Sequence, residues 1–247
     1  MNTLIQEIAQ QGRAQELYGL VNNIALVIAL IYSFWHGKKL GVPLWKMFVL
    51  LLVLYFGMNY LLGGIWELLL YISRQEMWGI NKVVNSIVRA FLFVPLIVFP
   101  VAKLLKLKGR LAWDAVVMYP LLRSALAQIA CIFTGCCAGY AWGWGLYNPN
   151  TCAYHFPVQL IETVLTLGIF VRLLFYLRKN GNKSDGTLFP RMLFWYGIMR
   201  FICEALRDNQ KLLPLCSGVG IHAILLVIAA IFWFLAERIL KTKNNKL

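Results

Sequence analysis

The chain is a succession of apolar runs of membrane-spanning length separated by short, mostly basic connections. Runs near 18–36, 47–66, 86–102, 112–134, 158–177, 192–206 and 221–238 each hold enough apolar side chains to cross ~30 Å of hydrocarbon as a helix. The third run is interrupted by Pro95 and Pro100 and has Arg89 near its start. Proline removes a backbone donor and clashes with the preceding turn, so this segment is expected to kink or to enter the bilayer only partway. Residues 1–17 are polar and amphipathic, with Glu7 and Glu16, and lack the basic start and small-residue cleavage site of a secretory signal. Residue 1 is therefore expected to belong to the mature chain. No internal repeat or low-complexity tract is visible, which argues against a transporter built from repeated halves.

Composition agrees with the pattern. Of 247 residues, 60% are hydrophobic and only 14% charged, with a mean hydropathy of +0.68. Soluble domains are roughly half apolar and a quarter charged, so that class is excluded. The net charge of +14 raises nucleic acid as a partner, but the basic residues stand between apolar runs, where anionic lipid headgroups account for them. They also alternate. One set of connections holds Lys38, Lys39 and Lys46, then Lys103, Lys106, Lys108 and Arg110, then Arg178, Lys179, Lys183 and Arg191, then Arg238, Lys241, Lys243 and Lys246. The other set has only Arg13, then Arg74 and Lys82, then Arg207 and Lys211. Basic loops stay in the cytoplasm, which predicts an outside N-terminus, a cytoplasmic C-terminus, and outer loops after the second, fourth and sixth spans. The expected fold is an all-α integral membrane protein, a single polytopic domain of about seven transmembrane helices around a central lipid-accessible cavity.

Three stretches on or near the outer side carry candidate chemistry. Gly135, Cys136, Cys137, Ala138 and Gly139, followed by Trp142, Gly143, Trp144, Gly145 and Tyr147, let a backbone approach a ligand or another helix closely, or simply form a tight helix exit with interfacial aromatic anchors. Pro157 suits the first turn of the fifth span and puts Gln159 and Glu162 on one helical face. A carboxylate about one turn inside the membrane points either to a functional cavity or to a buried arginine partner. Arg200, Glu204 and Arg207 share a face near the outer end of the sixth span. The two signs can neutralise each other, and a guanidinium with spare donors also suits a lipid phosphate.

In this order, Gly135-Cys136-Cys137-Ala138-Gly139, Trp144-Gly145, Pro157-Val158-Gln159-Leu160-Ile161-Glu162 and Tyr196-Gly197-Ile198-Met199-Arg200-Phe201-Ile202-Cys203-Glu204 resemble prolipoprotein diacylglyceryl transferase. The resemblance spans roughly residues 86 to 238, and the first two runs share it by hydropathy alone. It implies a multi-pass enzyme of the bacterial plasma membrane that moves the diacylglyceryl group of phosphatidylglycerol onto the lipobox cysteine thiol of a prolipoprotein signal peptide. A thioether forms, glycerol 1-phosphate leaves, and no metal or organic cofactor takes part. Carried onto this sequence, it implies that Arg200 stabilises the phosphate or substrate, that Glu204 orients Arg200, and that Glu162, Gln159, Gly135 and Gly139 match family motif positions, with Asp114 standing where many members have an acidic residue. Beyond the matched motifs, His155 is added to the catalytic candidates, and Gln128 and Arg207 to the candidate substrate contacts.

Three features depart from the family pattern. Ile161 replaces the tyrosine of Pro-x-Gln-Leu-Tyr-Glu, and Ala127 and Gln128 replace the Gly-Arg that opens the signature. The family's His-Gly-Gly stretch before the third span is missing, with Asn85, Ser86 and Arg89 near its place. Arg89 or Arg123 is therefore expected to supply the missing positive charge, and His155 or Glu162 the general base. The alternative is a catalytically silent relative that binds lipid or peptide in the same cavity. Of the other histidines, His36 is expected at the cytoplasmic interface and His222 at the start of the seventh span. Cys136, Cys137, Cys152 and His155 lack the paired spacing of zinc sites, so no metal is expected there. Disulfides such as Cys137 or Cys152 with Cys216 suit an oxidising compartment, whereas Cys131 and Cys203 read as small packing residues.

Overall fold

A computed structural model describes residues 1–57, 87–181, 183–207 and 223–235. It is mostly helical: α1 (Asn2–Gln10), α2 (Ala14–Lys39), α3 (Leu44–Phe56), α4 (Ile87–Leu104), α5 (Gly109–Val116) and α6 (Met118–Thr134) precede a hairpin of β1 (Ala141–Asn148) and β2 (Ala153–His155), followed by α7 (Val158–Lys179) and α8 (Leu188–Ala205). A further apolar helix, α9, covers Ala223–Leu235. Ala14–Lys39, Gly109–Thr134 and Val158–Lys179 are long and apolar enough to cross a membrane. Residues 58–66 of the second expected span, His222 and Cys216 lie outside the described residues.

Proline explains the local breaks. Pro120 cannot donate to the Val116 carbonyl, and the turn ahead of it separates α5 from α6 at Val117, whose φ of −56° and ψ of −33° stay helical. The two therefore form one rod. Pro95 and Pro100 lie inside α4, which runs on through both as a helix rather than turning back.

That rod is the middle of the bundle. In its most apolar window 72% of residues are buried, against 17% in α2. The outer stripe of α2, with Leu20, Ile24, Val27, Ile28 and Ile31 exposed, has the helical spacing of a lipid-facing surface. Inside, Tyr119, Tyr196, Phe91 and Phe189 are fully buried, and Phe91 meets Tyr196 edge-on at 4.5 Å. Gly197 lets α8 and α9 touch, since a Cβ there would stand 2.8 Å from the Ala223 carbonyl oxygen. An apolar groove of about 800 Å³ lies between α3 and α4, lined by residues such as Phe56, Gly57, Ile97 and Pro100.

At the α5 end of the rod, buried polar groups set how α8 packs. The Asp114 carboxylate accepts from Ser184 Oγ at 2.8 Å, Gly186 N at 2.8 Å and Leu188 N at 3.1 Å, satisfying donors at the start of α8. His36, expected at the cytoplasmic interface, is buried within the bundle, and its Nε2 lies 2.9 Å from the Asp114 carbonyl oxygen. Beside them, Asp185 accepts from Tyr176 at 2.7 Å and from Thr187 Oγ1 at 2.7 Å. Partial burial pushes its carboxyl upward, but the hydrogen bonds from Tyr176 and Thr187 outweigh this and hold it below the usual value.

The hairpin amends the all-α expectation. Trp142-Gly143-Trp144-Gly145-Leu146 alternates with period two, the strand period. Gly145 is obligatory in this packing, because a Cβ there would stand 2.1 Å from the His155 carbonyl oxygen. Amphipathic α1 seals this side: Ile5 packs with Ile132 and Leu146, Asn2 Nδ2 donates to the Gly145 carbonyl at 2.8 Å, and Tyr147 N donates to Asn2 Oδ1 at 3.2 Å.

Candidate active site

Three helix ends converge on Glu162. On α6, Ser124 and Gln128 are one turn apart on a shared face; on α7, Gln159 and Glu162 share the first turns; near the end of α8, Arg200, Glu204 and Arg207 align. Thr163 and Thr166 donate back to the Gln159 and Glu162 carbonyls at 2.9 and 2.7 Å, keeping their own hydroxyls satisfied inside α7.

The Glu162 carboxylate is fully buried. Its Oε1 accepts Arg200 Nη1 and Gln128 Nε2, the latter at 2.9 Å, while its Oε2 accepts Arg207 Nη2 at 2.5 Å. Glu204 Oε2 lies 3.4 Å from Arg207 Nε and 3.9 Å from Arg200 Nη2. Two carboxylates and two guanidiniums give a formal charge of zero, which is how a low-dielectric interior tolerates four ionic groups. Buried Arg200 Nε, Gln128 Oε1 and Gln159 Oε1 have no hydrogen-bond partner among the described residues. They amount to one donor suited to an anionic oxygen and two acceptors suited to an O–H, N–H or S–H group.

The loop after α6 holds this cluster in place. Gly135 ends the helix in the left-handed region at φ 66°, and a Cβ there would stand 2.0 Å from Asn148 Oδ1. Gly139 is squeezed between two backbones, where a Cβ would lie 2.6 Å from the Phe156 oxygen and 2.9 Å from the Leu206 oxygen. Its N–H donates to the Phe156 carbonyl at 3.1 Å and the next N–H, of Tyr140, to Leu206 at 3.3 Å, which makes an isolated antiparallel bridge between Gly139 and Arg207. Gln159 Nε2 clasps the same loop through the Cys136 carbonyl at 2.9 Å.

His155 is buried, with Nδ1 2.7 Å from the Gly139 carbonyl oxygen and Nε2 2.8 Å from Thr151 Oγ1. A carbonyl only accepts, so the Nδ1 proton is fixed, and the ring braces the glycine loop. Arg123 is turned away from Glu162, donating to Tyr119 Oη at 3.1 Å and lying 5.6 Å over the Tyr55 ring. Arg89 stands in the first turn of α4, and its side chain lies outside the described residues. Thus Gln128, Glu162, Arg200, Glu204 and Arg207 come together, braced by Gly135 and Gly139 of the loop, by Gln159 at the start of α7 and by His155 at the end of β2. Two groups escaped sequence reasoning: Tyr196 Oη, 3.2 Å from Ser124 Oγ beneath the cluster, and Leu206, whose carbonyl anchors the loop. Position 196 lay within the motif read for Arg200 and was the available signal for the first; backbone bridging to residue 206 has none.

The family model of prolipoprotein diacylglyceryl transferase matches residues 8–236. A protein of Lactococcus lactis subsp. cremoris named phosphatidylglycerol-prolipoprotein diacylglyceryl transferase is 32% identical over 88 residues, 36% of this chain and 34% of that relative. One of the same name from Streptococcus equi subsp. zooepidemicus is 32% identical over 87 residues, 35% of this chain and 34% of the relative. These matched stretches span about a third of the curated relatives. With the family model covering nearly the whole sequence, the chain belongs to the prolipoprotein diacylglyceryl transferase family.

Proposed function

We propose that this chain transfers the diacylglyceryl group of phosphatidylglycerol to the lipobox cysteine thiol of prolipoproteins in the bacterial plasma membrane. The observation that carries this reading is the buried cluster in which Glu162 joins Arg200, Arg207 and Gln128. In the reaction a C–S bond forms as the glycerol carbon's C–O bond to phosphate breaks, and the electron pair leaves with the phosphate oxygen. The thiol proton is balanced by the second acidity of the departing phosphate monoester. The developing phosphate charge needs preorganised donors in a dry site, and in this reading Arg200, whose Nε has no hydrogen-bond partner among the described residues, gives them.

Arg207 takes up the role expected of Arg89 or Arg123. Gln128, at the position where the family has arginine, still reaches Glu162 but brings an amide rather than a charge, and Arg207 supplies a second guanidinium to the same carboxylate. Glu162, whose two oxygens accept from Arg200, Arg207 and Gln128, acts by holding both arginines. Glu204 orients the guanidiniums from below, and His155 positions the Gly139 loop. The partners in this reading are phosphatidylglycerol or a related anionic phospholipid, the prolipoprotein signal peptide and the bilayer, with no nucleic acid.

The proposed topology is about seven spans with the cluster near the outer surface. Exposed Cys152 reports on it: a membrane-impermeant maleimide added to intact cells labels it if the hairpin is outside, and labelling only after lysis rejects the orientation. The activity is tested by expressing the chain in a bacterium depleted of its own diacylglyceryl transferase. Lipid incorporation into a prolipoprotein, lost with Arg200→Ala at equal expression, supports the reading. Absence of incorporation with well-expressed wild-type chain favours a lipid-binding relative without transfer chemistry.

A further inference from the structure

Beside the Glu162 cluster, the fold gathers three thiols that the transfer reaction does not use. Cys131 in the last turn of α6, and Cys136 and Cys137 just beyond it, have Sγ atoms all within 4.8 Å of one another. The chain reversal causes this: Gly135 at φ 66° and Cys137 at φ 59° both adopt left-handed backbone and wind the loop back over the helix end. Left-handed φ is uncommon for a residue with a Cβ, and Cys137 is held there by packing rather than preference. The set weighed and set aside on spacing, Cys136, Cys137, Cys152 and His155, is not the one assembled. Cys152 Sγ is directed to the Pro149 carbonyl at 3.8 Å, and both ring nitrogens of His155 are engaged by Gly139 and Thr151.

We propose that Cys131, Cys136 and Cys137 form a three-thiolate site for a soft d10 cation, Cu+ or Zn2+. Sulfurs bound about 2.3 Å from a central ion in a trigonal plane stand roughly 4 Å apart. Separations that already lie within 4.8 Å close to that value by small side-chain rotations. Thiolates select soft ions over Mg2+ or Ca2+. Three of them leave a net negative charge on a monovalent or divalent ion, and the Arg207 guanidinium, itself paired with Glu162 and Glu204, lies beside Cys137. Thr134 Oγ1, 3.2 Å from Cys136 Sγ, supplies the outer hydrogen bond that fixes a ligand's orientation. Binding releases the protons of the thiols that ligate the ion.

This site is independent of the transfer activity and is read without it. The full chain, reduced and stripped of metal in detergent, is titrated with Cu+ and with Zn2+ against a competing chromophoric chelator. One equivalent of Cu+ or Zn2+ per chain is expected, with affinity falling at least tenfold in Cys131→Ser, Cys136→Ser and Cys137→Ser but unchanged in Cys152→Ser. X-ray absorption of the loaded wild-type chain is expected to show three sulfur neighbours, a readout that stands even if a serine variant fails to fold. Fewer than three sulfurs at the bound ion, affinity unmoved by the three substitutions, or no binding of either ion against the chelator overturns the proposal.

Discussion

Glu162 on α7 and Arg207 just past α8, forty-five positions apart, meet at 2.5 Å inside the bundle, and the same carboxylate holds Arg200. Removing one member of a buried ionic set costs about 3–5 kcal/mol, because the partners are left charged and dry. Glu162→Gln is therefore expected to lower stability by about 3 kcal/mol and to abolish transfer. Thermal unfolding in detergent reads the first effect, and an unchanged midpoint would show that Glu162 is not the hub of the cluster.

The amide of Gln128 and the guanidinium of Arg207 reach opposite oxygens of Glu162. If Arg207 carries the charge that Gln128 does not, Arg207→Gln lowers the transfer rate about 100-fold, the usual loss when one charge-stabilising donor is removed. The double variant Gln128→Arg, Arg207→Gln restores the charge from the other side of the carboxylate and recovers at least tenfold of that loss. Recovery absent from a well-folded double variant would mean that position 207 acts otherwise.

Gly145 admits no side chain where β1 crosses the His155 carbonyl. Gly145→Ala is expected to separate the strands and loosen the Gly139 loop they support, at a cost of about 1–3 kcal/mol for overpacking. Faster limited proteolysis within residues 141–155 checks this. Wild-type resistance would contradict it.

Asp185 gives the connection between α7 and α8 an acid-sensitive stability. Its folded-state carboxyl lies below the ordinary value of 3.8, so its contribution is fully present above about pH 4 and is lost as pH falls further through the lowered folded value. Asp185→Asn is expected to lower stability at pH 6–7 and to flatten the loss on acidification below pH 4. Parallel unfolding curves of wild type and variant across that range would reject the linkage.

Much of the helical framework was legible because lipid imposes one simple rule, long apolar runs, and α2, α7 and the α5–α6 rod follow it. Gln159 with Glu162, and Arg200 with Glu204 and Arg207, were legible for the same kind of reason: helical spacing puts them on shared faces. What the sequence could not express was contact between helices. Arg123 looked eligible for the missing charge while Arg207 was not considered for it, and only packing turns Arg123 to Tyr119 and Tyr55. The hairpin was hidden by reading Trp142 and Trp144 as membrane anchors, although their alternation with glycine is a strand pattern. Cys131 read as packing because nothing in a linear spacing reveals that Gly135 and Cys137 reverse the chain onto it.

If the buried Arg200–Glu162–Arg207 cluster carries out diacylglyceryl transfer, an assay in nanodiscs with labelled phosphatidylglycerol, a lipobox peptide and either wild-type chain or Arg200→Ala, with folding of both verified, tells the two apart. Wild type is expected to give a thioether-linked diacylglyceryl peptide, and the variant at least a 100-fold lower rate. Equal product from both, or none from well-folded wild type with several anionic lipids, would contradict this role of the cluster.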